Sequence, residues 1–219
     1  MYPTYTRPER IADGTMHALG VIGAIAGTIV LIVWATDVAT SGNIAALSVY
    51  GATLITTFVA SAMYHMTPWE GIRPTLRRFD HAAIYLKIAG TYTPLVAMIG
   101  TGFAYAILAI VWGLAVIGMV LKLFFWRTPG RVGPLLYLIM GWLSVFLVWS
   151  LWAIVPGTAM MLIAIGGLTY TLGVVFYAAK AMKFSNAIWH GFVVVASACF
   201  FAAIAISLAH LGQGMEYMT

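Results

Sequence analysis

The sequence predicts an all-α membrane protein, a bundle of seven transmembrane helices. Of its 219 residues, 63% are apolar and only 8% are charged, whereas soluble domains carry about 25% charged residues. So few charges cannot cover a water-facing surface, which excludes a soluble enzyme, a nucleic-acid reader and a disordered chain. A spanning helix needs roughly 20 apolar residues, and seven such segments fit with short loops. We expect a single domain over residues 1–219.

Seven apolar segments lie between charged or turn-rich stretches. The third is the shortest and contains Lys87. The single cysteine, Cys199, lies inside an apolar segment, which excludes an intrachain disulfide framework and a cysteine zinc site. The polar residues 1–15 do not resemble a cleaved signal sequence. The predicted spans are 16–35, 44–65, 82–99, 103–125, 134–154, 158–179 and 187–209.

The distribution of basic residues predicts the orientation of these spans. Ten of the eleven basic residues fall on one side of a seven-span arrangement, and the opposite segments hold only Asp37 and Glu216 as charges. The ten are Arg7, Arg10, Arg73, Arg77, Arg78, Lys122, Arg127, Arg131, Lys180 and Lys183. The positive-inside rule then predicts a cytoplasmic amino terminus and an external carboxyl terminus.

Five ionisable residues are predicted to gather at the cytoplasmic ends of the spans. Ionisable groups at membrane depth are costly and tend to mark functional sites. Their common level indicates a polar pocket just inside the inner leaflet. The five residues are His17, His65, Asp80, His81 and His190.

Two pairs of residues spaced four apart suggest what this pocket binds. Ser61 and His65 share one helix face, and so do Asn186 and His190. Neutral imidazole suits zinc, and a catalytic zinc usually has three protein ligands and a water. His65 and His190 supply two ligands, while Asp80 could bind zinc directly or hold its water. Ser61 could hydrogen-bond within the same pocket.

Each of these residues also has a purely structural interpretation. An intramembrane histidine is often a hydrogen-bonded packing residue. Asp80 could cap the third helix or pair with an arginine of the preceding loop. Ser61 could donate to a carbonyl of its own helix. We expect His17 and His81 to be interfacial residues without a ligand role.

Several motifs resemble the bacterial haemolysin III family, especially its inner-membrane fluidity-homeostasis members. They include Ser61-Ala-Met-Tyr-His65, the segment 79–94 that begins Phe-Asp-His, and Ala187-Ile-Trp-His-Gly-Phe-Val193. The resemblance extends over essentially the whole chain. The family belongs with the progestin and adipoQ receptors, including the adiponectin receptors, and more distantly with the alkaline ceramidases. It implies a seven-helix protein of the bacterial inner membrane with a cytoplasmic amino terminus.

The resemblance also implies a zinc site near the cytoplasmic face. The family builds it from one histidine of the second helix and two histidines, four residues apart, of the seventh; an aspartate of the third helix contacts the zinc-bound water. His65, His190 and Asp80 match three of these positions, and Ser61 matches the family serine. Asn186 stands in place of the remaining histidine. Because an amide oxygen is a poorer zinc ligand than imidazole, we expect weak or absent metal binding unless Asp80 or the adjacent histidine compensates.

Lys87 is a second departure from the family, which usually has an apolar residue there. It lies seven residues after Asp80 on the same helix face, about 10 Å along the axis. The side chain could snorkel to the membrane interface. It could instead face the pocket, where its charge would compete with a metal ion.

Three functions are compatible with these features. A metal-dependent hydrolase of a lipid amide or ester would use zinc to activate water, with Asp80 taking the proton. A non-catalytic protein would sense or adjust the bilayer through the same pocket. A cytolysin is disfavoured, because seven apolar spans without a continuous polar stripe do not resemble a secreted toxin. Given Asn186, we expect a protein of membrane-fluidity and energetics homeostasis with an unusual zinc pocket, and hydrolysis as the second choice. Its expected partners are membrane lipids and not nucleic acid.

Overall fold

Helices make up nearly all of the chain that the computed structural model describes, which is residues 5–125, 132–179 and 181–216. These ranges contain no strand. The helices follow one another with short connections. They are α1 (Arg7–Val38), α2 (Ser41–Met66), α3 (Arg73–Ile99), α4 (Gly102–Phe124), α5 (Val132–Trp142), α6 (Val148–Trp152), α7 (Gly157–Ala178) and α8 (Ser185–Glu216).

Six of these helices are long and apolar enough to cross a membrane, namely α1, α2, α3, α4, α7 and α8. Between α4 and α7, a 3-10 turn at Leu143–Leu147 joins α5 to α6. Together α5, the 3-10 turn and α6 contain one shorter apolar segment, Leu136–Trp152. With that interrupted segment, the described ranges hold seven apolar helical segments, six of them long enough to cross a membrane. The predicted fold class, an all-α membrane bundle, is confirmed.

Helix α1 begins well before the apolar segment that predicts it. Its first residue is Arg7, whereas the apolar segment starts at residue 16. The Glu9 carboxylate accepts hydrogen bonds from the Thr6 backbone N–H at 2.9 Å and from the Thr6 hydroxyl at 2.7 Å. A glutamate in the first turn that bonds back to the residue preceding the helix stabilises that turn. The polar turns that hydropathy leaves out are therefore part of α1.

Helix α3 also begins early, which changes the role open to Asp80. The helix starts at Arg73, with Pro74 in its first turn, whereas the apolar segment predicts a start at residue 82. Asp80 therefore lies about two turns inside α3. The interpretation of Asp80 as a cap of the third helix is wrong.

Helix α3 lies at the centre of the bundle, where it packs against α2, α4, α5 and α8. Helix α1 packs against α2 and also against α8, so the first and last helices of the chain are neighbours. Many large apolar side chains face outward, as expected for a surface that contacts lipid. Examples are Ile22, Val30, Phe124, Trp149 and Trp152.

Two glycines allow the closest approaches of helices to α3. A Cβ atom added at Gly90 would overlap the side chain of Thr53 on α2. A Cβ atom at Gly118 of α4 would overlap the ring of Tyr85 on α3. Small residues at such positions let helix backbones approach each other in a membrane. The positions of Asp80 and other α3 side chains therefore depend on these contacts.

Gly90→Ala is expected to lower the melting temperature of the purified protein. The new methyl group overlaps Thr53 at its Cβ as well as at its hydroxyl, so the helix backbone must shift. Overpacking of this kind costs about 1–3 kcal/mol. The matched control is Gly113→Ala in α4, where an added Cβ has no neighbour within 4 Å. Equal melting temperatures for the two variants in detergent would contradict the close packing of α2 on α3.

Candidate metal centre and cavity

Three histidines from three helices meet at one end of the bundle. They are His17 of α1, His65 of α2 and His190 of α8. The ring centroids are 4.3 Å apart for His17 and His190, 4.6 Å for His65 and His190, and 5.2 Å for His17 and His65. One ring nitrogen of each residue lies within 4.8 Å of the other two. The side chains are mostly buried, so the group is close enough for a single ion to reach all three.

The carboxylate of Asp13 lies among these rings. Its Oδ1 accepts a hydrogen bond from His190 Nδ1 at 2.6 Å. Its Oδ2 is 3.7 Å from His17 Nε2 and 3.7 Å from His65 Nδ1. A carboxylate bonded to one nitrogen of an imidazole fixes the tautomer and the ring orientation of a metal-ligating histidine. The hydrogen bond that His190 Nδ1 donates to Asp13 therefore leaves Nε2 as the His190 nitrogen that could bind a metal ion.

His17 supplies a direct test of whether the group fits a metal. Its Nε2 is buried and has no hydrogen-bond partner among the described residues. Buried polar atoms are normally satisfied, so an orphaned ring nitrogen needs an explanation. A metal ion bound to the imidazole group would satisfy it, and nitrogen donors are the ligands that zinc prefers. The three imidazoles, with Asp13 beside them, could therefore hold a metal ion.

Asp80 and Ser61 lie on the wall of the cavity that also reaches His65 and His190. The Asp80 Oδ2 is 3.2 Å from His81 Nδ1 on the same helix. Asp80 is outside the three-histidine group but is buried. The structure thus brings a carboxylate and a hydroxyl to the same cavity as the imidazoles.

The cavity has a volume of about 780 Å³, within the range of small-molecule sites. The histidines and Asp80 line one part of it, and apolar side chains such as Leu95, Leu151 and Met160 line much of the remainder. Some lining residues on the interrupted segment Leu136–Trp152 and on α7 are also exposed, among them Trp152 and Met161. Side chains of both segments thus belong to the cavity wall and also to the exposed surface.

Comparison with known proteins identifies the family of this chain. Residues 6–201 match the family described as Haemolysin-III related. The chain belongs to this family. It is 34% identical to the "Hemolysin-3 homolog" of Bacillus subtilis over 91% of this chain and 94% of that protein. It is also 34% identical to "Hemolysin-3" of Bacillus cereus over 90% of each chain. The human "Monocyte to macrophage differentiation factor" is 29% identical over 90% of this chain and 83% of its own length.

In this haemolysin-III chain the third imidazole comes from α1 and not from α8. The expectation that His17 is interfacial is wrong, because His17 is only 3% exposed and lies against His65 and His190. Asn186 lies beside the group, with its Nδ2 3.5 Å from His65 Nδ1. Three imidazoles therefore come together, although the resemblance implies a histidine where this chain has Asn186.

Sequence reasoning missed Asp13 altogether. The residue precedes the first apolar segment and was counted among the polar residues of the amino terminus. One signal was present: Asp13 and His17 are four residues apart, so they share a face if the helix starts early. The capped start of α1 at Arg7 makes that spacing meaningful.

Lys87 does not snorkel to an interface, and it faces the cavity. The residue is 7% exposed. Its Nζ donates a hydrogen bond to Ser197 Oγ on α8 at 2.7 Å. The same Nζ lies 4.6 Å from the ring centroid of Phe58 and 5.2 Å from that of Tyr170. The Lys87 amine is thus held inside the bundle by Ser197, Phe58 and Tyr170.

Proposed function

We propose that this haemolysin-III protein acts in membrane-lipid homeostasis through a zinc-dependent pocket that receives a lipid chain from the bilayer. The observation that carries the proposal is the three-histidine group on the wall of a largely apolar cavity. An apolar cavity with a few convergent polar groups is the usual form of a ligand site. A lipid chain would enter past Trp152 and Met161, which both line the cavity and are exposed.

In the proposed site His17, His65 and His190 hold zinc, and Asp13 orients His190. Three protein ligands leave one position of a tetrahedral ion open, which is typical of catalytic rather than structural zinc. Asp13 adds a carboxylate next to the three imidazole rings, which favours a bound cation. The proposed ion would also satisfy the orphaned Nε2 of His17.

Hydrolysis of a lipid amide or ester is the second candidate function, and the position of Asp80 favours it. When bound, zinc polarises a carbonyl group and lowers the pKa of a coordinated water. Asp80 lies on the wall of the same cavity, where its carboxylate would accept a proton from water and return it to the leaving group. His81, 3.2 Å from Asp80, would hold that carboxylate in place. The apolar walls would hold the acyl chain and exclude water.

Metal analysis of the protein in nanodiscs of zwitterionic lipid tests the proposed pocket. After dialysis we expect about one zinc ion per chain, as three imidazole ligands predict. Removal of zinc by a chelator should lower the melting temperature, because an ion that binds only the folded state stabilises it. Absence of zinc, together with no effect of added zinc on melting, would contradict the proposal.

Release of fatty acid from N-acyl and ester lipids separates catalysis from binding. We expect zinc-loaded protein to release fatty acid, and Asp80→Asn to abolish the release while keeping its zinc. The asparagine has nearly the same shape as aspartate but cannot accept the proton. If zinc-loaded parent protein releases none, the pocket acts in homeostasis by binding alone.

The proposed orientation has a cytoplasmic amino terminus and places the histidine group near the inner surface of the bacterial membrane. This orientation rests on the ten basic residues that all fall on one side of the seven predicted spans. A reporter fused after Thr219 should then be external, and one inserted in the loop 67–72 should be cytoplasmic. Two reporters on the same side would contradict this orientation.

A further inference from the structure

The group of three histidines borders two spaces in the bundle. The large cavity is lined by His17, His65 and His190. A second, small recess also has His65 in its wall, together with Glu9 and Asp13 of α1. The volume of this recess is about 10 Å³, which is room for about one water molecule. The recess is therefore too small, as it stands, to let a hydrated metal ion pass.

The recess is nevertheless the better route for an ion to the histidines. Much of the large cavity is apolar, and an unpaired charge is costly to bring into such surroundings. Glu9 lies in the first turn of α1, whereas Asp13 is 5% exposed and accepts the hydrogen bond from His190. Residues four apart share a helix face, so the two carboxylates lead from the helix end to the histidines. The basic residue of the wall, Arg10, is exposed to solvent.

One hydrogen bond joins two parts of the recess wall. The backbone N–H of Phe184 donates to Glu9 Oε1 at 3.0 Å. The other carboxylate oxygen, Oε2, accepts from the backbone and the hydroxyl of Thr6. Phe184 directly precedes α8, and both Glu9 and Phe184 line the recess. The Glu9 carboxylate thus ties the start of α1 to the start of α8 across this space.

The backbone of Phe184 is held in an unfavourable conformation. It is the one non-glycine residue of the described ranges with a positive φ, 60°. The left-handed region is uncommon for a residue with a bulky side chain, and such a conformation persists where the surrounding structure holds it. The N–H that Glu9 accepts belongs to this same residue, which is 39% exposed. Loss of the bond to Glu9 should therefore let Phe184 relax and move away from the recess.

We propose that Glu9 is the gate of a metal-entry path that leads through the recess to the three histidines. In the closed state Glu9 Oε1 holds the N–H of Phe184. An arriving divalent cation takes the carboxylate as a ligand, the Phe184 N–H passes to water, and the recess widens towards Asp13 and His65. The gate rests on the proposed function, because it serves the same metal centre.

Cysteine reactivity in metal-free protein tests the gate without any zinc. Ala187 lines the recess and is absent from the wall of the large cavity, so Ala187→Cys reports on the recess alone. The native cysteine is removed by Cys199→Ala. In nanodiscs we expect iodoacetamide, which is water-soluble and uncharged, to modify this reporter at least about tenfold faster when Glu9→Ala is added, since hydrogen bonds to charged groups are the stronger ones.

Two control variants separate the gate from other effects of the change. Thr6→Val removes the hydroxyl that bonds to Glu9 Oε2 but keeps the contact with Phe184. Glu70→Ala removes an exposed carboxylate of the loop between α2 and α3. Neither should change the rate of cysteine modification, and melting curves verify that every variant is folded. Equal rates in the reporter chain with and without Glu9→Ala would overturn the proposal. An equal increase in Thr6→Val would also overturn it, because the effect would then belong to the first turn of α1.

The rate of zinc release to a chelator tests whether the gate serves the metal centre. Glu9→Ala should raise this rate at least about tenfold without changing the equilibrium affinity, because Glu9 is outside the group of three ligands. Glu9→Gln should not raise it, because the amide oxygen can still accept the Phe184 N–H. Weaker zinc binding in both variants would make Glu9 a ligand and overturn the gate. A parent protein that binds no zinc would overturn the proposed function and the metal role of the gate, whereas the cysteine rates would still show whether Glu9 closes the recess.

Discussion

His17→Ala is expected to lose nearly all of the bound zinc. His17 is one of three imidazoles whose ring nitrogens lie within 4.8 Å of one another, and the variant leaves two. Structural zinc sites bind with roughly 10–16 kcal/mol in total, so the loss of one ligand costs several kcal/mol. At about 1.4 kcal/mol for each tenfold change, zinc affinity should fall at least about 100-fold. The measurement is zinc per chain at equilibrium with a competing chelator.

Asn186→Ala is the variant whose zinc binding should be compared with that of His17→Ala. Asn186 stands where the resemblance to the haemolysin III family implies a third histidine, and it lies beside His65. If His17 is the third ligand, the asparagine variant should keep zinc with an affinity close to that of the parent. His81→Ala should do the same, since His81 is outside the group of three. Zinc retained in His17→Ala but lost in Asn186→Ala would assign the third ligand to α8.

Asp13→Asn is expected to weaken zinc binding by about 10–100-fold, the usual effect of changing a carboxylate that orients a ligating histidine. The asparagine keeps the size of the side chain but removes the negative charge next to His17, His65 and His190. It can also present its amide nitrogen to His190 Nδ1, which disrupts the 2.6 Å hydrogen bond. Zinc affinity measured with the competing chelator reports the change.

Asp37→Asn is the matched control, because Asp37 lies on the same helix at the opposite end and is exposed. Its zinc affinity should equal that of the parent. A second comparison separates an electrostatic role in metal binding from a structural ion pair. If Asp13→Asn lowers the melting temperature equally with and without zinc, Asp13 stabilises the bundle and does not assist the ion.

The all-α membrane fold could be predicted from the sequence because the apolar composition of a segment indicates whether that segment lies in the membrane. Long apolar segments and alternating basic loops are visible residue by residue, and they gave the all-α bundle. The starts of α1 and α3 were missed because both helices continue as polar turns, where hydropathy carries no signal. Arg7 and Arg73 instead mark their beginnings, next to Thr6 and Pro74.

The site was less predictable because it depends on which helices become neighbours. Ser61 and His65, which the spacing places on one face of α2, both line the cavity. No local pattern shows, however, that α1 packs beside α8. That contact turns His17 from an interfacial residue into a member of the buried group. The direction of Lys87 likewise depends on Ser197, which is 110 residues away in the chain.

The packing of α1 against α8 has a consequence for how the protein is made. Asp13 and His190 are 177 residues apart in the chain, yet they share a hydrogen bond. During synthesis α1 enters the membrane long before α8 has been translated. The three histidines therefore cannot meet until the last helix has been inserted, and a truncated or half-inserted chain has no complete metal centre. Metal loading would accordingly be a late event in biogenesis, and a bound ion would mark a chain whose insertion is finished.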